Sequence, residues 1–206
     1  FEVPLGLVAS IGSWRSREMI DHYLSLCQVL FQNLPDVRYW ITFNEINMLL
    51  HAPFLAAGLV ITEANNRDAI AFAAAHHQLV ASAKATQLAR QLLPGSMIGC
   101  MFAAGVVYPH TCNPADALKA QQVTEEEYAF VDVQMRGSYS KKLWHTLENT
   151  GVAAQIPAED LAALAQNTAD FVSFSYYNSR TVSADNAAQG MSEGNLFASG
   201  KTLTWK

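Results

Sequence analysis

Apolar positions recur at three-to-four spacing over residues 15 to 33, where Ile20, Tyr23, Leu24, Cys27, Leu30 and Phe31 mark one face before Pro35. That spacing predicts an amphipathic helix ended by the proline. Over residues 38 to 45 the pattern changes to a β-prone run, Tyr39-Trp40-Ile41-Thr42-Phe43, which stops abruptly at Asn44 and Glu45. A buried strand with a polar tip is expected here. From Asn47 to Asn66 periodicity fades and Pro53 and Gly58 intervene, so this stretch reads as a long excursion lying over the end of the strand. A second long helix is expected over 67 to 93, with Ile70, Ala73, Ala74, His77, Val80, Ala81, Leu88 and Leu92 on one face, Lys84 interrupting it and Pro94-Gly95 ending it.

The run Met-Ile-Gly-Cys-Met-Phe-Ala-Ala at 97 to 104 is apolar throughout, as in a parallel strand covered on both faces. Gly105 through Pro114 reads as loop. Helical material is expected over about 115 to 150, broken near Thr124 and Gly137, with Thr124 and Glu127 forming a capping box. A short helix over 158 to 165 leads to a β-rich segment at 171 to 177, and the remainder from Asn178 to Lys206 reads as loop. Strand, helix, strand, helices, strand is the order of a parallel α/β fold. A closed (β/α)₈ barrel takes about 250 residues, and the units seen here are too long for eight to fit in 206 residues. Either an open sheet or the middle of a larger barrel is expected. In a barrel, substrates bind at the C-terminal strand ends, which makes Glu45 the first candidate for a catalytic acid.

Composition narrows the field. With 50% apolar and 15% charged residues the chain is globular rather than disordered. A net charge of −5 and a pI near 5.6, with no basic run, argue against nucleic acid and anionic membrane as partners. No uncharged apolar stretch of about 18 residues occurs, and no basic-then-apolar leader opens the sequence, so a cytoplasmic protein is expected. Cys27, Cys100 and Cys112 lack CxxC spacing and nearby His pairs, and are expected to be buried free thiols rather than a disulfide framework or a zinc site. The sequence begins at Phe1 with what reads as a strand end running into a turn, so polypeptide upstream is expected.

Five segments in order carry a resemblance: Phe-Glu-Val-Pro-Leu at 1 to 5, Gly-Ser-Trp-Arg-Ser-Arg at 12 to 17, Tyr-Trp-Ile-Thr-Phe-Asn-Glu-Ile-Asn at 39 to 47, Ala-His-His-Gln-Leu-Val-Ala-Ser-Ala at 75 to 83, and Phe-Val-Ser-Phe-Ser-Tyr-Tyr at 171 to 177. Together they resemble glycoside hydrolase family 1, and within it the 6-phospho-β-glucosidase branch. The resemblance implies a TIM (β/α)₈ barrel, an α/β fold of which this chain covers the end of the third strand through the sixth and the loop beyond. Residues 1 to 206 would then be the central part of one glycosidase domain, with no separate second domain. It implies the general acid/base at Glu45, a sugar 2-hydroxyl contact at Asn44, and a tyrosine orienting the nucleophile at Tyr177. Ser175, where most of the family has Asn, and Ile46 after the glutamate point to the phospho-glycosidase branch. The implied substrate is a small phosphorylated β-glucoside, with no metal or organic cofactor, and the intact protein is open to forming a homo-oligomer.

Two elements of the family are missing from these 206 residues, the Ile/Val-Thr-Glu-Asn-Gly nucleophile motif and the later Ser/Lys/Tyr phosphate-binding loop. The chain thus resembles an internal fragment, expected to be inactive alone. Alternatives stay open: a β-glucosidase or β-galactosidase acting on plain sugar, or a non-catalytic fragment as it stands. Among the residues themselves, Glu45 could merely cap the helix or loop after its strand, and Tyr177 could be a core aromatic. Trp14 is expected to pack beneath the loop. His76 and His77, adjacent on a helix, face different directions and cannot chelate together. Glu125, Glu126 and Glu127 read as a solvated first helical turn.

Overall fold

The chain opens with α1 (Leu5–Ile11), closed by Gly12 in the left-handed conformation at φ 75°. A computed structural model describes residues 3–185. Ser16 is extended, so the helix expected from residue 15 begins only at Met19, as α2 (Met19–Asn33). It buries Met19, Ile20, Tyr23, Cys27 and Phe31. Strand β1 (Tyr39–Ile41) follows, shorter than the expected 38 to 45. The excursion after it holds a 3₁₀ turn (Ile46–Leu50) and the short α3 (Pro53–Ala57).

Helix α4 (Arg67–Leu92) matches its expected span but not its expected single face. His76, Gln78, Ser82 and Thr86 are buried with Ala71, Ala74, Leu79, Val80 and Ala85. Alanine side chains are short enough for neighbours to pack closely over most of the helix surface, which draws polar residues into the interior. Strand β2 (Met97–Ala104) has the predicted bounds and is buried at Ile98, Gly99, Cys100 and Phe102. Its central place explains this: the sheet order is β1-β2-β4, with β4 at Phe171–Tyr176. The outer strands alternate instead, leaving Tyr39, Ile41, Val172, Phe174 and Tyr176 exposed. Gly99 is required at its position because a Cβ there would lie 2.3 Å from the Phe171 ring.

The loop expected at 105 to 114 contains β3 (Val107–Pro109), and the final stretch contains β5 (Arg180–Val182) parallel to it, with Val107 opposite Arg180. Helix α5 (Pro114–Arg136) runs unbroken through Thr124, which corrects the expected break and capping box. The Thr124 hydroxyl donates back to the Ala120 carbonyl at 2.9 Å, the bond of a mid-helix threonine rather than a cap. Glu125 to Glu127 therefore lie within the helix and not at its first turn, a second correction, and Glu127 forms an ion pair with Arg180. The break at Gly137 holds, and α6 (Lys141–Asn149) and α7 (Ala158–Gln166) complete the helices.

The described residues divide into two compact units, 3–102 with 129–173, and 103–128 with 174–185. The first contains the aromatic and aliphatic core around Trp14, Tyr23, Phe43 and Leu79. In the second, the buried Asp116 carboxylate accepts from the Thr111 hydroxyl at 2.6 Å and amide at 3.1 Å, the Ser183 hydroxyl at 3.0 Å and the Ala184 amide at 2.7 Å. The Thr111 hydroxyl leads in holding this carboxyl down at about 2. Among the described residues no helix is long and apolar enough to cross a membrane.

Candidate active site

Strand β1 runs parallel to β2 with Ile41 opposite Gly99. The ladder continues past the last regular strand residue, for the Thr42 amide donates to the Gly99 carbonyl at 3.3 Å. A regular ladder would next bring residue 44 to the Met101 carbonyl, but the Glu45 amide donates there instead, at 3.1 Å. Three steps along one strand, from 42 to 45, face two along the other, from 99 to 101. One extra residue is inserted, and a bulge of this kind bends a strand and re-aims its side chains.

Glu45 absorbs that insertion in its backbone, with φ 50° and ψ 54°. For a residue bearing a Cβ, the left-handed conformation costs roughly 1–2 kcal/mol. Such strain persists where the surroundings fix it, and it concentrates at functional sites. The surroundings here are dense. Phe43 stacks on Tyr23 at 4.6 Å between ring centroids and meets Trp14 edge-on at 5.3 Å, so Trp14, expected to pack beneath the loop, packs against the strand end. The Tyr23 hydroxyl donates to the Thr42 carbonyl at 2.5 Å. The Thr42 hydroxyl lies 2.7 Å from that of Ser82 on α4, which also accepts from the Gln134 amide on α5 at 3.0 Å.

Against this support the two polar side chains at the tip stand open. Asn44 is exposed and Glu45 half-buried, and among the described residues neither side chain has a hydrogen-bond or ion-pair partner. Glu45 occupies the N-cap position of the 3₁₀ turn Ile46–Leu50, yet its side chain makes no capping bond. The simple capping role therefore fails. Tyr177 comes directly after β4 and is 62% exposed among the described residues. It belongs to the second compact unit, whereas Asn44 and Glu45 belong to the first.

The two histidines do face different ways. His77 Nδ1 lies 2.9 Å from the Trp14 carbonyl oxygen, while His76 sits between Tyr139 Oη at 2.8 Å from its Nδ1 and Asp160 Oδ2 at 3.0 Å from its Nε2. Arg17 donates both terminal nitrogens to Asp160 at 2.5 Å each. Burial pushes the Asp160 carboxyl up, but the hydrogen bonds from Arg17 and His76 outweigh it and hold the group below the ordinary carboxylate value. A carboxylate only accepts, so His76 donates through Nε2 and accepts at Nδ1 from the Tyr139 hydroxyl. Burial, first, keeps His76 below its ordinary value and lifts the Tyr139 hydroxyl above its own. The sequence pattern does not reveal this network, nor the Ser82–Gln134 pair. Polar residues within an Ala-rich apolar helix are the one available signal. Among the described residues no group of His, Cys, Asp and Glu could hold a metal. Cys27 and Cys100 are buried and free, with burial pushing both thiols up to about 11. Cys112 is exposed, which corrects the expectation of three buried thiols; it lies in the polar turn before α5.

The sequence model of glycosyl hydrolase family 1 matches residues 1–201. The chain is 44% identical over 203 residues to the 6-phospho-beta-glucosidase AscB of Escherichia coli (strain K12), covering 97% of this chain and 42% of that protein. It is 39% identical over 198 residues to the aryl-phospho-beta-D-glucosidase BglH of Bacillus subtilis (strain 168), covering 96% of this chain and 42% of the relative. Among solved structures, the family 1 β-glucosidase of Thermotoga maritima superposes with a TM-score of 0.72 at 25% identity, over 89% of this chain and 41% of that one. The psychrophilic β-glucosidase BglU of Micrococcus antarcticus gives 0.71 at 28% identity, over 87% and 38%. The chain thus spans about two-fifths of the length of the relatives it matches. Its strands and helices form a segment of a (β/α)₈ barrel. From the ordered strand-end motif, the fold and the family match together, the chain belongs to glycosyl hydrolase family 1.

Proposed function

We propose that this chain supplies the acid/base half of a retaining 6-phospho-β-glucosidase, with Glu45 as the general acid and then the general base. The observation that carries the reading is the open Glu45 carboxyl, delivered by a bulged strand end with its backbone held in the left-handed conformation. Retaining hydrolysis needs two carboxyls about 5–5.5 Å apart, one protonating the leaving oxygen while the other attacks the anomeric carbon. Once the glycosyl–enzyme bond has formed, the deprotonated acid takes a proton from water, and the water displaces the enzyme carboxylate. Asn44, beside Glu45, would donate to the sugar 2-hydroxyl, a contact that strengthens as positive charge develops on the ring. Tyr177 would orient the nucleophile.

That nucleophile would come from polypeptide outside these 206 residues, which lack the Thr-Glu-Asn-Gly motif. Residues 1 to 206 would form the central part of one barrel domain, working in the cytoplasm in an enzyme open to homo-oligomer formation. The chemistry asks for two carboxyls and water, with no metal or organic cofactor. The names of the two relatives described above favour a phosphorylated sugar over a plain one. Comparing nitrophenyl β-glucoside with its 6-phosphate as substrates of the complete enzyme tests this choice, and a preference for the plain glucoside would overturn it. Turnover of either glycoside by the purified 206-residue chain alone would overturn the half-site reading.

A further inference from the structure

The geometry points to Ser82 and Gln134 as positioning residues that fix Glu45 through Thr42. This inference rests on the acid/base reading of Glu45 and adds two helix residues with no place in the strand-end motif. Thr42 is the last residue before the inserted one, and each of its polar groups is held. Its amide donates to Gly99, its carbonyl accepts from Tyr23, and its hydroxyl meets Ser82. Ser82 is 5% exposed and Gln134 7% exposed, so water cannot readily replace either in these bonds. They come from two helices, α4 and α5, and so tie the strand to the layer outside the sheet.

A bulge holds one residue more than its partner strand and can relax by shifting that excess along the chain. Fixing Thr42 on one side and the Glu45 amide on the other confines the excess to residues 43 and 44 and holds Glu45 left-handed. Loosening the Thr42 anchor lets the carboxyl drift from the leaving oxygen, and a misplacement of about 1 Å can cost on the order of 10²-fold in rate. In kcat/KM, which reports the first step, the loss falls on protonation of the leaving oxygen. Departure of a poor leaving group suffers, whereas departure of an activated phenolate, which needs no proton, does not.

The test uses the complete enzyme with Ser82→Ala, Ser82→Thr, Gln134→Leu and Glu45→Gln, assayed on alkyl and dinitrophenyl 6-phospho-β-glucosides, with exchange of the Glu45 amide measured in parallel. Ser82→Ala is expected to lose about 10-fold or more in kcat/KM on the alkyl substrate while holding kcat/KM on the dinitrophenyl substrate, and to speed exchange at Glu45. Ser82→Thr, which keeps a hydroxyl, is expected to restore both. Equal loss on the two substrates, or unchanged exchange at Glu45, would overturn the positioning role. If Ser82→Ala does not fold, Gln134→Leu decides by the same readings. Should Glu45→Gln itself show no dependence on the leaving group, the acid/base reading falls. Should Glu45→Gln show it and the folded Ser82 and Gln134 variants not, only the positioning inference falls.

Discussion

Two carboxyls in the first compact unit are treated in opposite ways. Asp160 is fully buried, and both its oxygens are occupied by Arg17 and His76. Glu45 sits at a strand end with a left-handed backbone, and among the described residues its side chain has no partner. The difference separates two uses of one functional group. Asp160 uses its acceptors within the protein and links segments far apart in sequence, since its partners lie 143 and 84 residues away. The Glu45 side chain has no partner among the described residues, while the backbone around it is fixed by Gly99, Met101, Tyr23 and Ser82. Rigid support under an unsatisfied polar group is what a preorganised site requires.

The contrast can be broken most directly at Glu45. In the complete enzyme, Glu45→Gln is expected to lower kcat/KM for alkyl glycosides by about 10²–10⁴-fold with little change in the melting temperature. Equal loss on activated and unactivated substrates would deny it the acid role. Asp160→Ala should do the reverse, costing about 3 kcal/mol in denaturant unfolding because it strands the groups around it. A folded variant of unchanged stability would remove Asp160 from the scaffold.

The pH dependence sharpens the comparison further. The Asp160 carboxyl is depressed in the fold, so its contribution is present above the unfolded value of about 3.9 and is lost as pH falls through its lower folded value. His76 is also depressed, so the unfolded state takes up its proton first and stability begins to decline as pH drops below about 6.5. Asp160 favours the charged imidazole, while burial, His77 and Arg17 oppose it. Unfolding measured from pH 7 to 5 should therefore slope downward toward acid, and His76→Gln should reduce the slope, the remainder coming from His77, which burial also holds below its ordinary value. The smallest effect is expected from Tyr139→Phe, which leaves the His76 Nδ1 acceptor without its donor. A loss of about 1 kcal/mol is expected by thermal or denaturant melting, and no loss would show that the hydroxyl is not part of the network.

Much of the fold is legible in the amino-acid pattern, and the exceptions share a cause. The apolar run at 97 to 104 marks its strand to the residue because a central strand is apolar on both faces. The β1 segment reads too long because Thr42 and Phe43 have strand-like side chains while the backbone beyond them takes a bulge that composition does not encode. Thr124 looks like a cap because Thr-x-x-Glu is a local signature, but the helix runs through it and its hydroxyl bonds back to the Ala120 carbonyl. Glu45 and Asn44 can be singled out, since a polar pair at the end of an apolar strand is a one-dimensional signal. Asp160, Ser82 and Gln134 cannot, because their meaning lies in partners 40 to 143 residues distant.

The inserted residue before Glu45 has a consequence for how this segment tolerates changes in length. Side chains on a strand alternate, so position along it is a matter of parity. Removing either Phe43 or Asn44 would restore an even count between Thr42 and the Met101 contact and bring the neighbouring residue types into exchanged slots. Deletions here would then act as a switch of identity rather than a graded loss of stability. Insertions and deletions in pairs would preserve the reading frame of the site, and single ones would invert it.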